Sequence, residues 1–296
     1  MKPTQITELF ANIRASFVSF FSILMFVALG VGIFLGINWA SPALYNAADG
    51  LYDEGAFHHV QVTFPYGLTQ DDLDKLAAVK GVTDVEAARL AFADCAIGDH
   101  TYTLKLQSFG QRIDKPIMVE GTLPETEDEI ALKTATAHAM GLSIGDTITL
   151  ASAQPGASGN AAQLKATAFK VTALIESPEY SSTQSEAYGV SANGATSVDG
   201  LAWLNPSAFD DAAYQDGFTT VNVRSEALES LGTFSAEYKE ASTELEGRIS
   251  ELGDELAPAR YDALHDNAQA QIDEGEAKLA EAEEKIAQGE QAIADG

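Results

Sequence analysis

Residues 119–150, VEGTLPETEDEIALKTATAHAMGLSIGDTITL, hold in one stretch the elements that decide the fold. The short apolar runs IMVEG (117–121) and EIAL (129–132) predict strands. TATAHAM predicts a short helix that ends at Gly141, and Gly145 followed by aspartate predicts a turn before a closing strand, TITL. Because strands and a helix alternate here, we expect a mixed α and β domain.

The sequence on both sides continues this pattern. HHVQVTF (58–64) alternates as a half-buried strand does, and LTQDDLDKLAAVKG predicts a helix with Thr69 as N-cap, Asp72 three residues later and Gly81 as its stop. We expect residues 41–225 to form one extracytoplasmic α+β domain. Its further predicted parts are strands at Val82 to Ile97, Thr101 to Phe109 and 164–177, a hairpin turn at Gly98-Asp99-His100, and loops at 151–163 and 178–198. The segment GLAWLN (200–205), a short helix from Pro206 to about Tyr214 and the segment FTTVNVR (218–224) complete the domain.

An uncharged stretch precedes this domain. Residues 17–40, FVSFFSILMFVALGVGIFLGINWA, are long enough to cross a hydrocarbon core of ~30 Å as one helix. The alternative is a cleaved signal peptide, whose apolar part runs about 7–15 residues and ends at small residues before the cut. The sequence Asn38-Trp39-Ala40 fits such a cleavage site poorly. We therefore expect a retained transmembrane helix.

The charges beside this helix predict its orientation. Lys2 and Arg14 precede it, whereas Asp49, Asp53 and Glu54 are the first charges after it. The positive-inside rule then places the N-terminus in the cytoplasm and the bulk of the chain outside the cell membrane.

Two features of the N-terminal region predict contacts with the membrane. Residues 1–16 form a cytoplasmic segment in which apolar residues recur on one helical face, as in a helix lying in the membrane interface; an ordinary helix start is the alternative. These apolar residues are Ile6, Leu9, Phe10 and Ile13. Small residues also line one face of the membrane helix, which would let another membrane helix approach closely. They are Ala28, Gly32, Gly36 and Ala40.

Residues 226–296 change to a seven-residue repeat, which predicts a coiled-coil stalk. Leu231, Tyr238, Leu245 and Leu252 are seven apart, and Pro258 predicts a kink in a nearly continuous helix. In the C-terminal half, large and small residues alternate along one seam that has no partner in this sequence, so we expect the stalk to be incomplete. The seam residues are Ile272, Gly275, Leu279, Ala282, Ile286, Gly289 and Ile293.

Composition and motifs exclude several functions. The formal net charge of −27 argues against binding to nucleic acid. Cys95 is the only cysteine, so we expect it to be buried as a small hydrophobic residue. His58 and His59 are adjacent on a predicted strand and point to opposite faces, the dipeptide Gly-Lys of a Walker A loop is absent, and no G-x-S-x-G motif occurs. We expect no catalytic site, no metal site and no cofactor.

Three stretches carry a resemblance to a known family. They are residues 12–62, NIRASFVSFF through HHVQV; residues 119–150, with their glycine, proline, acidic stretch, Glu-Ile-x-Leu and Gly-Leu-x-x-Gly-Asp; and FKVTALIESPEY (169–180). The chain resembles the N-terminal part of an FtsX-like ABC transporter permease with a MacB-like periplasmic core domain, in the subgroup with a coiled coil. The resemblance covers most of residues 12–225.

This resemblance implies a function and partners. Such permeases work with a cytoplasmic ABC ATPase, whose movements pass through membrane helices to the outer domain. The output is extrusion of a substrate or mechanical activation of an extracellular protein partner. The family has at least four membrane helices, so the resemblance implies that further permease helices or a second permease half, together with membrane lipid, complete the assembly and that this chain is an N-terminal portion. The alternative is a single-pass surface protein with a stalk, acting in adhesion or scaffolding.

Overall fold

The computed structural model describes residues 14–152, 164–181, 188–190, 197–214 and 217–294. The chain divides into two compact units, Met1–Leu51 and Tyr52–Gly296, which we describe separately. The first contains most of helix α1, and the second contains all ten strands named below together with the remaining named helices.

Helix α1 (Phe17–Glu54) has the length and apolar composition needed to cross a membrane. It is longer than the predicted span of 17–40, because the helix continues past Ala40 and through Pro42. Hydropathy detects only the apolar part, whereas the following residues are rich in alanine and leucine, which favour helix. Residues 1–13 of the predicted cytoplasmic segment lie outside the described part of the chain.

The remaining elements have the following bounds. The strands are β1 (Val60–Leu68), β2 (Asp84–Ala88), β3 (Leu90–Ile97), β4 (His100–Ser108), β5 (Ile117–Gly121), β6 (Glu129–Lys133), β7 (Thr147–Ser152), β8 (Ala168–Glu176), β9 (Gly200–Leu204) and β10 (Phe218–Arg224). The helices are α2 (Gln70–Ala77), α3 (Thr134–Met140), α4 (Glu226–Glu229) and α5 (Ala236–Ala294), with 3₁₀ turns at Pro178–Tyr180, Pro206–Ala208 and Asp211–Tyr214.

The smaller sheet has three antiparallel strands in the order β1-β10-β2. Helix α2 follows β1, and the predicted cap is confirmed: the Asp72 backbone N–H donates to Thr69 Oγ1, and the Asp72 carboxylate accepts from the Thr69 backbone N–H. The helix ends at Ala77, a few residues before the predicted stop at Gly81. Helices α2 and α5 cover one face of this sheet and bury Leu73, Leu76 and Val223.

The larger sheet closes on itself. Its order is β5-β8-β6-β9-β4-β3-β7, and β7 also pairs with the N-terminal half of β8. Six strands therefore form a small barrel, and β5 extends it by pairing with the C-terminal half of β8. Barrel closure leaves few free sheet edges, which stabilises a sheet against misassociation.

Side chains of the barrel strands alternate between two apolar clusters. The inner cluster includes Cys95, Leu104, Ile130 and Phe169, and Cys95 is fully buried, as the sequence predicts. Alternate residues such as Ala131 and Trp203 pack in a second cluster on the opposite face.

One predicted strand is wrong. The run from Val82 to Ile97 is two strands, β2 and β3, which belong to different sheets. The break lies at Arg89, whose side chain donates to Gly217 O at 3.2 Å, pairs with Asp211 at 2.6 Å and stacks on the rings of Tyr214 and Phe218. These partners are distant in sequence, so the apolar run alone gives no sign of the break.

The start of the predicted stalk belongs to the domain core. Leu245 and Ile249 of α5 are buried in the cluster beneath the three-stranded sheet, with Tyr238 and Leu252 packed against it. These residues satisfy their heptad spacing by packing on a sheet rather than on a second helix. Helix α5 is continuous through Pro258.

The remaining predicted elements differ in detail. The expected short helix from Pro206 to Tyr214 is two 3₁₀ turns separated by Asp210 and by Phe209, whose backbone is extended. In the first turn, Asn205 Oδ1 accepts from the Ser207 backbone N–H. Most of the predicted loops 151–163 and 178–198 lie outside the described residues.

Candidate functional site

Residues Gly55–His59, which we name the junction segment, connect helix α1 to strand β1. The segment has no regular structure, yet its backbone is held by several elements of the domain. These are the loop at 113–115, the 3₁₀ turn at 178–180 and the connection between β10 and α4.

The first contacts join the segment to the loop at 113–115. The Asp114 backbone N–H donates to Ala56 O at 3.1 Å, and the Lys115 N–H donates to Gly55 O at 2.7 Å. Ala56 and Asp114 both have left-handed backbones, with φ values of 49° and 52°. Such a backbone is unfavourable for alanine, so these hydrogen bonds hold Ala56 in a strained conformation.

Asp114 is the centre of a buried polar cluster. Its carboxylate accepts from the His58 backbone N–H at 3.0 Å, from His58 Nδ1 at 2.8 Å and from Asn222 Nδ2 at 2.5 Å. Asn222 lies on the central strand β10 and accepts from Gln61 Nε2 at 3.1 Å. Asp114 is only 5% exposed and Asn222 is also buried, so these contacts satisfy two buried polar side chains.

The loop that carries Asp114 is itself anchored to the three-stranded sheet. The Glu86 carboxylate of β2 accepts from the backbone N–H groups of Gln111, Arg112 and Ile113. Asp114 is therefore fixed from both sides, by its own carboxylate and by the residues before it.

His59 joins the segment to the start of the C-terminal helices. The Ser225 backbone N–H donates to His59 Nδ1 at 2.9 Å. The His59 ring packs against the Tyr238 ring of α5 in a T-shaped arrangement, with 6.0 Å between the ring centroids. Arg224 donates to Phe57 O at 3.2 Å. Burial, with the Arg224 and His58 charges, lowers the pKa of His59 to about 4, so the ring is neutral and its Nδ1 is an acceptor at pH 7.

The turn at Pro178–Tyr180 connects the segment to the barrel. Gly55 is buried against Pro178 so closely that a Cβ atom on it would lie 2.5 Å from Pro178 Cγ. Behind this turn, fully buried Lys133 donates to Glu176 at 2.5 Å and to Tyr180 O at 2.8 Å, and Lys105 donates to the Tyr180 hydroxyl. Burial lowers the pKa of Lys105 and raises that of Tyr180.

A small polar cavity of about 40 Å³ lies between the two sheets next to this cluster. Its lining includes Gln61, Lys105, Gln107, Glu179 and Asn222. A space of this size accommodates ordered water but no larger ligand. The cavity lies where Gln61 and Asn222 of the three-stranded sheet face Lys105 and Gln107 of β4.

The described residues contain no group of three or more potential metal ligands. His58 and His59 bind different partners, Asp114 and Ser225, which agrees with their predicted opposite directions. Burial raises the pKa of the Cys95 thiol, which makes it a weak nucleophile. The arrangement fixes the junction segment to the loop at 113–115, to the turn at Pro178–Tyr180 and to the start of the C-terminal helices.

The predicted packing sites lie elsewhere and stay predictions. Ala28, Gly32, Gly36 and Ala40 are exposed on α1, and a Cβ atom added to Gly32 or Gly36 would meet nothing within 4 Å. Ile272, Leu279 and Ile286 are more than half exposed on α5, next to the exposed Gly275 and Ala282. The side chain of Ile293 and the surroundings of Gly289 lie outside what the structure describes.

Sequence reasoning missed the junction segment. The two histidines attract attention as potential metal ligands, but the partners that define their roles are 56 and 166 residues away in the chain. Because these partners are distant in the chain, no local pattern in the sequence marks the segment.

We predict that the His59 interaction makes stability depend on pH. The pKa of His59 is lowered from 6.5 to about 4 on folding, so the unfolded chain binds a proton more readily between these values, and the stabilisation is lost as the pH falls from 6.5 towards 4. Allowing for partial exposure of the ring, we expect a loss of about 1–2 kcal/mol.

The measurement compares the melting temperatures of the wild type and His59→Asn at pH 7 and pH 4.5. Asparagine keeps an acceptor but does not titrate, so the change with pH should be smaller in the variant. His100→Asn, at the exposed start of β4, is the control and should follow the wild type. A His59→Asn variant with the same pH dependence as the wild type would contradict the prediction.

Part of this chain is similar in structure to domains of known structure. No protein-family model and no curated protein sequence matches this chain. The extracellular domain of the noncanonical ABC-type transporter YknZ from Gram-positive bacteria is similar at 11% identity and a TM-score of 0.35, over 60% of this chain and 80% of that one.

Two further solved structures are similar to a comparable extent. The periplasmic region of MacB from Actinobacillus actinomycetemcomitans has 12% identity and a TM-score of 0.33, over 65% of this chain and 76% of that one. A domain assigned to a permease protein of Porphyromonas gingivalis has 15% identity and a TM-score of 0.32, over 64% and 71%. Outer domains of ABC-type permeases are therefore among the solved structures to which this chain is similar.

Proposed function

We propose that this chain is part of the membrane permease subunit of an ABC transporter, in which α1 carries movement from a cytoplasmic ATPase to an extracytoplasmic domain. The observation that carries the proposal is the junction segment. It directly follows a helix that is long and apolar enough to cross a membrane, and hydrogen bonds hold it to the loop at 113–115 and to the end of β10.

A firm junction suits this role. A flexible linker would absorb a displacement of α1, whereas a backbone that is fixed at Gly55, Phe57 and His59 passes the displacement to the sheets. Because His59 also contacts Tyr238, the same displacement would reach α5. The resemblance of residues 12–225 to FtsX-like permeases supports this role.

The proposed assembly follows from this role. The N-terminus lies in the cytoplasm with the partner ATPase, further permease helices complete the membrane part, and the domain from Tyr52 onward lies outside. Its movement serves extrusion of a substrate or mechanical activation of an extracellular protein. ATP hydrolysis belongs to the partner subunit.

The test uses the full chain purified with a mild detergent from membranes in which it is made. We expect an ATPase to co-purify, and we expect ATP with vanadate to change hydrogen exchange at residues 55–68. Inserting Gly-Gly-Ser-Gly between Glu54 and Gly55 should abolish that change and leave the ATPase bound.

The same insertion between Gly98 and Asp99, in an exposed hairpin turn, is the matched control and should preserve the change. Two results would overturn the proposal. One is the absence of any bound ATPase, which would favour the surface-adhesion alternative. The other is a nucleotide-dependent change that survives the insertion at the junction.

A further inference from the structure

An open groove of about 560 Å³ runs between strand β1 and helix α5. One wall is the continuous run Phe57–Phe64, so the groove follows the length of the strand. The other wall is a single face of α5, whose residues recur at intervals of three or four. These residues are Tyr238, Glu246, Ile249, Ser250, Gly253, Asp254 and Ala257.

The strand wall is a sheet edge. Among the described strands, β1 pairs only with β10 and ends the three-stranded sheet. Every second residue of an edge strand directs its backbone N–H and C=O groups away from the sheet, where they can pair with another extended chain. A peptide that added to β1 would enter the groove as a fourth strand.

The helix wall leaves room for such a peptide. A Cβ atom added to Gly253 would meet nothing within 4 Å, so the groove is open at this point. Ile249 is buried and supplies an apolar floor, whereas Glu246 and Ser250 are exposed. The groove thus combines an apolar base with polar sides, as peptide-binding grooves do.

The charged residues that line the groove indicate the charge of the partner that it binds. Among the described residues that line it, Glu246 and Asp254 are the carboxylates, both are exposed, and none is lysine or arginine. Of its two histidines, His58 binds Asp114 and His59 accepts from Ser225. The groove is therefore negative at pH 7 and favours a cationic partner.

The spacing of the two carboxylates matches an extended chain. Glu246 and Asp254 are eight residues apart on the helix, which is roughly 12 Å along its axis. Residues four apart in a strand lie roughly 13 Å apart and point to the same side. Lysine or arginine at positions i and i+4 of a bound strand could therefore meet both carboxylates.

We propose that this groove binds an extended basic peptide, which pairs with the edge of β1 and places cationic side chains against Glu246 and Asp254. This inference goes beyond the proposed function, because it concerns recognition of a polypeptide segment by the domain and not transmission through α1. The segment belongs to a protein partner of this domain.

The probe is a labelled nine-residue peptide of valine and threonine with lysine at its third and seventh positions. Fluorescence anisotropy measures its binding to the full chain in detergent, and hydrogen exchange reports on β1. We expect binding with a Kd below about 1 mM and slower exchange at residues 60–64. A peptide with glutamate in place of lysine should bind at least about tenfold more weakly.

A third peptide tests strand pairing directly. It has the same sequence, but alternate backbone nitrogens carry methyl groups that remove the N–H donors. We expect it not to bind, because the pairing with β1 is blocked. Equal binding of the methylated peptide would overturn the proposal, as would an absence of binding by the lysine peptide at about 1 mM.

Variants of the chain provide matched controls. Glu246→Gln with Asp254→Asn should weaken binding of the lysine peptide about tenfold, whereas Glu251→Gln with Glu255→Gln, which changes exposed acids outside the groove, should not. Gly253→Trp should block binding, whereas Gly247→Trp, at another open helical glycine outside the groove, should not. Equal effects within either pair would contradict the assignment. Failure here leaves the insertion experiment at Glu54 unaffected, so the two proposals stand or fall separately.

Discussion

Gly121→Ala should destabilise the domain by about 3–5 kcal/mol, far more than an ordinary glycine-to-alanine change. Gly121 ends β5, has φ of +86°, and lies so close to β8 that an added Cβ atom would be 2.1 Å from Thr172 O and 2.8 Å from Ile144 Cδ1. The first of these atoms belongs to the backbone of a barrel strand. Relief would therefore require the β5–β8 pairing to separate.

The control is Gly98→Ala in the hairpin between β3 and β4. Gly98 has φ of +60°, but a Cβ atom there would meet nothing within 4 Å, so only the backbone preference is lost, at about 1 kcal/mol. Thermal unfolding of the full chain in detergent, followed by fluorescence of the buried Trp203, compares the two. Similar melting temperatures for both variants would contradict the close approach of β5 to β8.

This glycine belongs to the stretch that decides the fold, and it shows what the sequence can and cannot predict. The apolar runs of 117–150 correctly predict β5, β6, α3 and β7, because each is a local pattern. The need for glycine at 121 depends on Thr172, which is far away in the chain. Pairings such as β4 with β9 and β7 with β8, which close the barrel, are equally non-local.

Two of the differences between the sequence interpretation and the structure have the same origin. Heptad spacing at Tyr238, Leu245 and Leu252 correctly predicts a helix with one apolar face, but Leu231 lies in the irregular stretch between α4 and α5, so the predicted helix is interrupted there. The apolar face packs on a sheet instead of on a second helix. Apolar alternation from Val82 to Ile97 correctly predicts strands, but not the change of sheet at Arg89. Periodicity reports which face of an element is buried and does not identify the surface that covers it.

The junction segment is the feature that local sequence patterns predict least well. Its hydrogen bonds join residues 55–59 to positions 114, 224 and 225, so no local pattern marks it. The aspartate that organises it lies in an irregular loop between two strands. Nothing in the sequence distinguishes Asp114 from the many solvated acids of this acidic chain.

Asp114→Ala should remove about 3–5 kcal/mol of stability, because it leaves three buried or partly buried donors without their acceptor. These donors are the His58 backbone N–H, His58 Nδ1 and Asn222 Nδ2. Asp99→Ala, in the exposed hairpin turn, is the matched control and should change stability by less than about 0.5 kcal/mol. Hydrogen exchange at residues 55–59 should accelerate in Asp114→Ala and stay unchanged in the control.

Exchanging the side chains of residues 114 and 222 tests whether Asp114 stabilises the domain through hydrogen bonds or only by filling volume. Asp114→Asn keeps the size of the side chain and tolerates the left-handed backbone, but it presents an amide where Asn222 already donates. Adding Asn222→Asp restores a donor facing an acceptor, so the double variant should be more stable than Asp114→Asn alone. A double variant that shows only the sum of the two single losses would mean that Asp114 acts through packing. In that case the junction segment would be held mainly by its backbone hydrogen bonds to the loop at 113–115 and by the contacts of His59 and Arg224.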